Sequence, residues 1–374
     1  MTFNERLARI RAGMEDRRLD VLIAVHDGAH FIEKPNPVMV LSGFKSLGPA
    51  AALLDRHGGL HLVVTPAWDC ERAADACPKC RILGPEDVAA GVIDALSSIG
   101  GTAKRGVPAI GIAGLSALPW AMADRLTSAL PHGHPADEIV FAPACTKTGE
   151  EIAHAREATR IAELGYEHLL RIAKPGMSED ELAAEVRWYT KTLGAEDNFL
   201  LLCAGEHNRA VQPSTGRRLK AGDVIVAEIT PSYCGQLAQI CRTIVLGEAS
   251  SMLAEKYALV AAAMRRGIDA AAPGVPVSEV CRAIDRVLEA EGYGEYCHPP
   301  HIRRRGHGLG FASIRPGDVS LDNHTLLEPE MVFMVHPNQY LPETGYLLCG
   351  EPVLVTAQGA EPLTRRPAAL AEIH

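Results

Sequence analysis

Two passages of this 374-residue chain, about a hundred residues apart, are written in the same order. The first runs Ala173-Lys174-Pro175-Gly176 and then Ser178 with Glu181 three residues on, the spacing of a capping box that opens a helix. The second runs Ala272-Pro273-Gly274, with a helix entering at Ser278-Glu279. Each leads through a turn to an apolar strand that ends on an ionisable residue. These are Gly222-Asp223-Val224-Ile225-Val226-Ala227-Glu228 and Pro329-Glu330-Met331-Val332-Phe333-Met334-Val335-His336, each followed closely by a proline. Neither copy buries its apolar face alone, so the two are expected to pack about an approximate two-fold axis. Glu228 and His336 then meet in a central cleft.

The residues before the repeat alternate differently. A helical pattern at Asn4 to Arg18 precedes strand patterns at Val21 to Val25, Val38 to Leu41, Ala50 to Leu54 and Leu60 to Thr65. Helical patterns follow at Pro85 to Leu96 and Leu115 to Leu130, with a strand at Ala109 to Ala113 between them. This predicts a small α/β domain over residues 1–146. A long amphipathic helix opens near Thr148, an N-cap followed by Glu150 and Glu151, and begins a second domain over 147–374.

Charge and cysteine usage narrow the class of function. A formal net charge of -9 leaves no broad basic face for nucleic acid. The N-terminus lacks a basic segment leading into an apolar one, and no stretch is apolar for long enough to span a bilayer, so a cytoplasmic location is expected. Ten irregularly spaced cysteines, most of them in apolar runs, read as reduced thiols. Cys77-Pro78-Lys79-Cys80 has no second pair or well-spaced histidine to complete a metal site and reads as a surface coincidence.

Three clusters carry chemistry. Glu228, Gln239, Cys241 and Arg242 fall on a predicted hairpin, with a turn through Pro231 to Gly235 and a return strand from Ile240 to Leu246. His307 stands between glycines in Gly306-His307-Gly308-Leu309-Gly310, which permit close backbone approach. His336 and Glu351 lie on the last predicted strands.

These motifs give the chain a family resemblance. Leu41-Ser42-Gly43-Phe44, Lys220-Ala221-Gly222-Asp223, Cys241-Arg242-Thr243, Gly306 to Gly310, Leu327 to Phe333 and Val353-Leu354-Val355-Thr356 occur in the order found in the creatinase and aminopeptidase P superfamily. The resemblance implies an α+β pita-bread C-terminal domain with a pseudo-two-fold repeat, behind a smaller α/β N-terminal domain. It also implies positions for the five ligands of the superfamily's dinuclear metal centre. Its two Asp fall on Glu228 and Gln239, its His on His307, and its two Glu on His336 and Gly350. Most of the carboxylate charge is therefore missing. Metal-free members offer another comparison. Creatinase's catalytic Glu and His fall on Cys241 and near Val211, whereas ectoine hydrolase resembles this chain at Glu228-Ile229 and Glu351.

The expectation that follows is a metal-independent hydrolase, without cofactor, cleaving a C-N bond in a small amino-acid-like compound bearing a cyclic amidine, guanidine or amide. Glu228 is its expected nucleophile or general base, with His307 or His336 protonating the leaving nitrogen and Glu351 orienting them. Arg315, Gln239, Cys241 and His207 are expected to contact substrate, joined by Lys45 across a homodimer interface. Cys241 reads either as a thiolate or as an inert small hydrophobe. Of Arg303, Arg304 and Arg305, one or two at most line the cleft and at least one is solvated. Two alternatives stand beside this reading. One is a mononuclear metal-dependent amidase, peptidase or lyase with a divalent ion at Glu228, His307 and His336; the other is a non-catalytic binding protein.

Overall fold

The structure is a computed structural model and describes residues 1–99 and 108–374. The chain divides into two compact units, Met1–Cys145 and Thr146–His374.

In the first unit six strands form one sheet: β1 (Val21–His26), β2 (Ala50–Asp55), β3 (Leu60–Val64), β4 (Arg81–Leu83), β5 (Ile110–Ala113) and β6 (Gly133–Pro135), in the order β4-β3-β2-β1-β5-β6. β1 lies near the middle, antiparallel to β2 and parallel to β5, and every one of its residues is buried. The unit's helices are α1 (Phe3–Asp16), α2 (Pro37–Ser42), α3 (Cys70–Ala76), α4 (Val88–Ile99), α5 (Trp120–Ala129) and α6 (Asp137–Ala144). The expected strand at Val38 to Leu41 is in fact the helix α2. A four-residue apolar run fits a buried helical turn as well as a strand, and its flanks decide. Asn36 Oδ1 accepts from the Met39 amide at 3.0 Å, Pro37 supplies a first-turn φ, and Gly43 ends the helix at φ 72.

The second unit contains the duplication. Helices α7 (Gly149–Ile172) and α8 (Glu179–Thr192) precede β7 (Asp197–Gly205), β8 (Val224–Tyr233), β9 (Gln236–Leu237) and β10 (Ile240–Leu246). Helices α9 (Ser251–Ala270) and α10 (Val277–Ala290) then precede β11 (Gly306–Gly308), β12 (Val332–Val335), β13 (Gln339–Leu341), β14 (Gly345–Leu347), β15 (Glu351–Thr356), β16 (Gly359–Pro362) and β17 (Ala371–Ile373). In the first copy β8 lies between β7 and β10, and in the second β12 lies between β11 and β15. The outer members meet where Cys241 and Gly350 exchange both backbone hydrogen bonds, each 3.2 Å. Corresponding edges pairing with each other is what a two-fold relation between the halves requires.

The copies begin differently. Both capping boxes of the first, Thr148 with Glu151 and Ser178 with Glu181, are formed. α10 starts behind Pro276 without a side-chain cap. The first copy's middle strand also runs past its expected end. β8 continues through Pro231, which pairs with Asn198, to Tyr233, and turns only at Cys234 and Gly235, both at positive φ. Glu228 is therefore mid-strand, between Leu201 and Cys241, whereas His336 stands one residue beyond β12.

Candidate active site

Glu228, Gln239, His307 and His336 come together beside the Cys241–Gly350 junction, all of them less than one tenth exposed. One Glu228 oxygen accepts from Asn338 Nδ2 at 3.2 Å and from the Cys241 thiol at 3.7 Å. Burial pushes the Glu228 carboxyl up to about 7, against the pulls of Cys241, Arg304 and Asn338. His307 is held on both edges, Nδ1 3.0 Å from the Gly308 carbonyl and Nε2 2.9 Å from Gln239 Oε1. Its flanking glycines are obligatory. A Cβ on Gly306 would lie 1.9 Å from the Met334 carbonyl oxygen, and one on Gly308 1.6 Å from that of Ile314. The close approach these glycines permit is thus to the protein's own backbone.

His336 packs edge to face on His307, with ring centroids 5.4 Å apart. Burial, reinforced by His307 and Arg304, keeps its proton affinity well below the usual imidazole range. Its Nδ1 is buried with no hydrogen-bond partner among the described residues.

The remaining expected residues divide. Cys241 is wholly buried, and burial followed by the Glu228 charge raises its thiol well above the usual range, so it is a neutral thiol rather than a nucleophile. Glu351 does not orient the histidines as expected. It pairs with buried Arg242 at 3.1 Å, while the Arg242 guanidinium also donates to the carbonyls of Cys241 and Gly350. Arg315 is exposed in the loop after β11, and exposed His207 reaches the Pro342 carbonyl at 3.0 Å beside the Tyr340 ring. Lys45 belongs to the first unit, just after α2.

The triple arginine resolves into three roles. Arg303 is exposed, Arg304 pairs with Asp318 while its charge reaches Glu228 and His336, and Arg305 is buried. Arg305 donates to Asp285 at 2.7 Å, to the Pro337 carbonyl at 2.6 Å and to Gln339 Oε1 at 2.8 Å, bracing the segment that carries His336. Sequence reasoning missed Asn338, which orients Glu228. A residue that tolerates positive φ, directly after His336-Pro337, was the available signal, and Asn338 stands at φ 20.

The sequence profile of metallopeptidase family M24 matches residues 153–357, more than half of the chain. The chain belongs to that family. It is 30% identical to "Uncharacterized peptidase YqhT" of Bacillus subtilis over 236 residues and to the Xaa-Pro dipeptidase of Pyrococcus furiosus over 232. These stretches cover 62% and 61% of this chain and 66% of each relative, a little under two thirds. In fold it is similar to the Xaa-Pro dipeptidase from Bacillus anthracis, with TM-score 0.83 and 22% identity over 99% of this chain and 100% of that one. It is likewise similar to the prolidase from Pyrococcus horikoshii OT3, with TM-score 0.82 and 23% identity over 97% and 99%. The pita-bread architecture is thereby shown.

Two expectations are corrected by these findings. A metal-independent hydrolase of amidines or guanidines, and a site without cofactor, do not agree with a metallopeptidase family and Xaa-Pro dipeptidase relatives. The error was to equate lost carboxylates with lost metal, although imidazole nitrogens and amide oxygens also bind divalent ions.

What this M24 chain's residues fit is narrower than the family's paired centre. Among the described residues no three His, Cys, Asp or Glu side chains are gathered into a ready-made metal cage. A bridged pair of ions does not fit, because Gln239 is uncharged and Gly350 has no room for a side chain. A Cβ there would lie 2.5 Å from Met334 Cε and 2.6 Å from His336 Cβ. By donor type a single cation suits Glu228 and His336, whose buried Nδ1 has no partner among the described residues, and His307 could join them only by exchanging its Nε2 contact with Gln239 for the ion.

Proposed function

We propose that this chain hydrolyses the peptide bond of short peptides, Xaa-Pro dipeptides first among them, as a single-metal member of the family. The observation that carries the reading is the buried convergence of Glu228, Gln239, His307 and His336 at the junction of the two halves. Glu228, His307 and His336 would hold the ion, which supplies Lewis-acid polarisation of the scissile carbonyl. The chain's own groups do the rest. Asn338 fixes the Glu228 carboxylate, and the Gly308 carbonyl fixes the His307 ring through Nδ1, so that Nε2 would exchange Gln239 for the ion. Exposed Arg315 meets the peptide's terminal carboxylate, with His207 at the rim. Ten free thiols suit the cytoplasm as the location, and a homodimer is the assembly we propose. Sedimentation giving a monomer mass would overturn that assembly.

The experiment is hydrolysis of a panel of Xaa-Pro dipeptides by protein supplied with Mn²⁺, Zn²⁺ or Co²⁺, with metal per chain read by elemental analysis. One equivalent of metal, and turnover lost in Glu228→Gln and on chelation, is the expected result. No cleavage of any dipeptide by metal-loaded protein overturns the reading.

A further inference from the structure

Cys77-Pro78-Lys79-Cys80, set aside above as a coincidence, acquires a definite geometry in the first unit. The segment leaves the C-terminal end of α3 as a tight turn, closed by the Cys80 amide donating to the Cys77 carbonyl at 2.9 Å. A turn closed in this way brings its end Cα atoms within about 7 Å of each other. Disulfide-linked residues stand roughly 4.4–6.8 Å apart, so little backbone movement separates the two. The turn thus sets both thiols on one short stretch of backbone at the end of α3. Cys77 is 5% exposed and also donates to the Ser42 carbonyl at 3.1 Å, whereas Cys80 is partly open to solvent between exposed Lys79 and Arg81.

We propose that Cys77 and Cys80 form a reversible redox pair, closed to a disulfide by exchange with a low-molecular-weight disulfide such as oxidised glutathione. The more accessible Cys80, once deprotonated, attacks one sulfur of the small disulfide and expels its first thiolate. The Cys77 thiolate then attacks the Cys80 sulfur of the mixed disulfide and expels the second. Two protein thiols are oxidised by two electrons, one small disulfide is reduced to two thiols, and the cysteine protons pass to those thiols through solvent. Closure also removes the S–H that reaches Ser42 at the end of α2, so the oxidised state is felt in the segment leading to Phe44 and Lys45.

The test uses the full-length reduced protein, equilibrated with glutathione at graded reduced-to-oxidised ratios, acid-quenched, alkylated and mapped by mass spectrometry. Exposed Cys234 reports that the oxidant is active. A Cys77–Cys80 linkage that rises with oxidised glutathione and is reversed by dithiothreitol is expected, with Cys77→Ser accumulating at Cys80 the adduct that the unaltered protein resolves. A lasting glutathione adduct on Cys80 in the unaltered protein overturns the proposal, as do two alkylated thiols at 77 and 80 while Cys234 is modified. Should the serine variant fail to fold, mapping of the unaltered protein alone decides.

Discussion

The two halves of the repeat hold their central residues by opposite means. Glu228 sits inside a ladder: β8 is paired along its length with β7 and β10, and its apolar neighbours join a core that includes Leu202, Ile225, Ile229 and Ile244. His336 has left its four-residue strand and stands on a segment braced by one buried arginine and overlaid by glycines that admit no side chain. The first copy is stabilised by many interchangeable apolar contacts, the second by a few contacts with no substitute. In a duplicated fold, the copy with the less regular backbone is the one that brings His307, His336 and Asn338 to the site.

That contrast is open to attack by mutation. The largest effect is expected for Gly308→Ala, because the new methyl has nowhere to go but the Ile314 carbonyl. A loss of more than about 4 kcal/mol, or failure to fold, should appear in urea unfolding, and a mild phenotype would show that the second copy is softer than described. Arg305→Ala leaves Asp285 buried and unpaired and should cost about 3–5 kcal/mol. Replacing both by Leu and Met of similar volume should recover much of it, with the same unfolding assay as the check.

The first copy should be less sensitive but more acid-dependent. Burial alone would raise the Asp223 carboxyl, yet Arg217 and the Lys220 amide outweigh it and hold it below its ordinary value of 3.8. Its contribution is therefore complete above that value and lost as pH falls through the lower folded pKa. Asp223→Asn should cost roughly 1–3 kcal/mol near neutrality and flatten the acid limb of a stability-against-pH curve. The smallest and most direct comparison is at the helix starts. Ser178→Ala removes a formed capping box and should cost about 1 kcal/mol, whereas Ser278→Ala, at a helix without a side-chain cap, should cost a few tenths. Equal costs in thermal melts would erase the distinction.

Periodic and local signals made most of the fold legible. The repeat, the capping boxes at Thr148 and Ser178 and the apolar strands are written in short-range patterns that one face of an element must satisfy. α2 was misread because four apolar residues carry no period of their own. At the site, Glu228 and His336 were legible from their equivalent places in the two copies, although β8 runs on past Glu228, and Gln239 and His307 from the family motifs that cover them. Glu351 was not, since whether a carboxylate on a buried strand turns to one neighbour or another depends on a guanidinium from the other half. Asn338 and Arg305 were hidden for a related reason. Their partners lie 110 and 20 residues away, and neither spacing is a sequence pattern.

The Arg242 guanidinium, which holds the carbonyls of Cys241 and Gly350 together with Glu351, has a consequence for how the chain is made. When residue 242 is added to the growing chain, two of the groups that will neutralise or accept from it, the Gly350 carbonyl and Glu351, are still more than a hundred positions from being synthesised. Until they arrive the first half has a desolvated cation without its anion and a strand edge without its neighbour. The second unit therefore cannot be completed in instalments; its last lock closes only when nearly the whole chain has been translated, and until then the nascent protein depends on solvent or a chaperone to cover that edge.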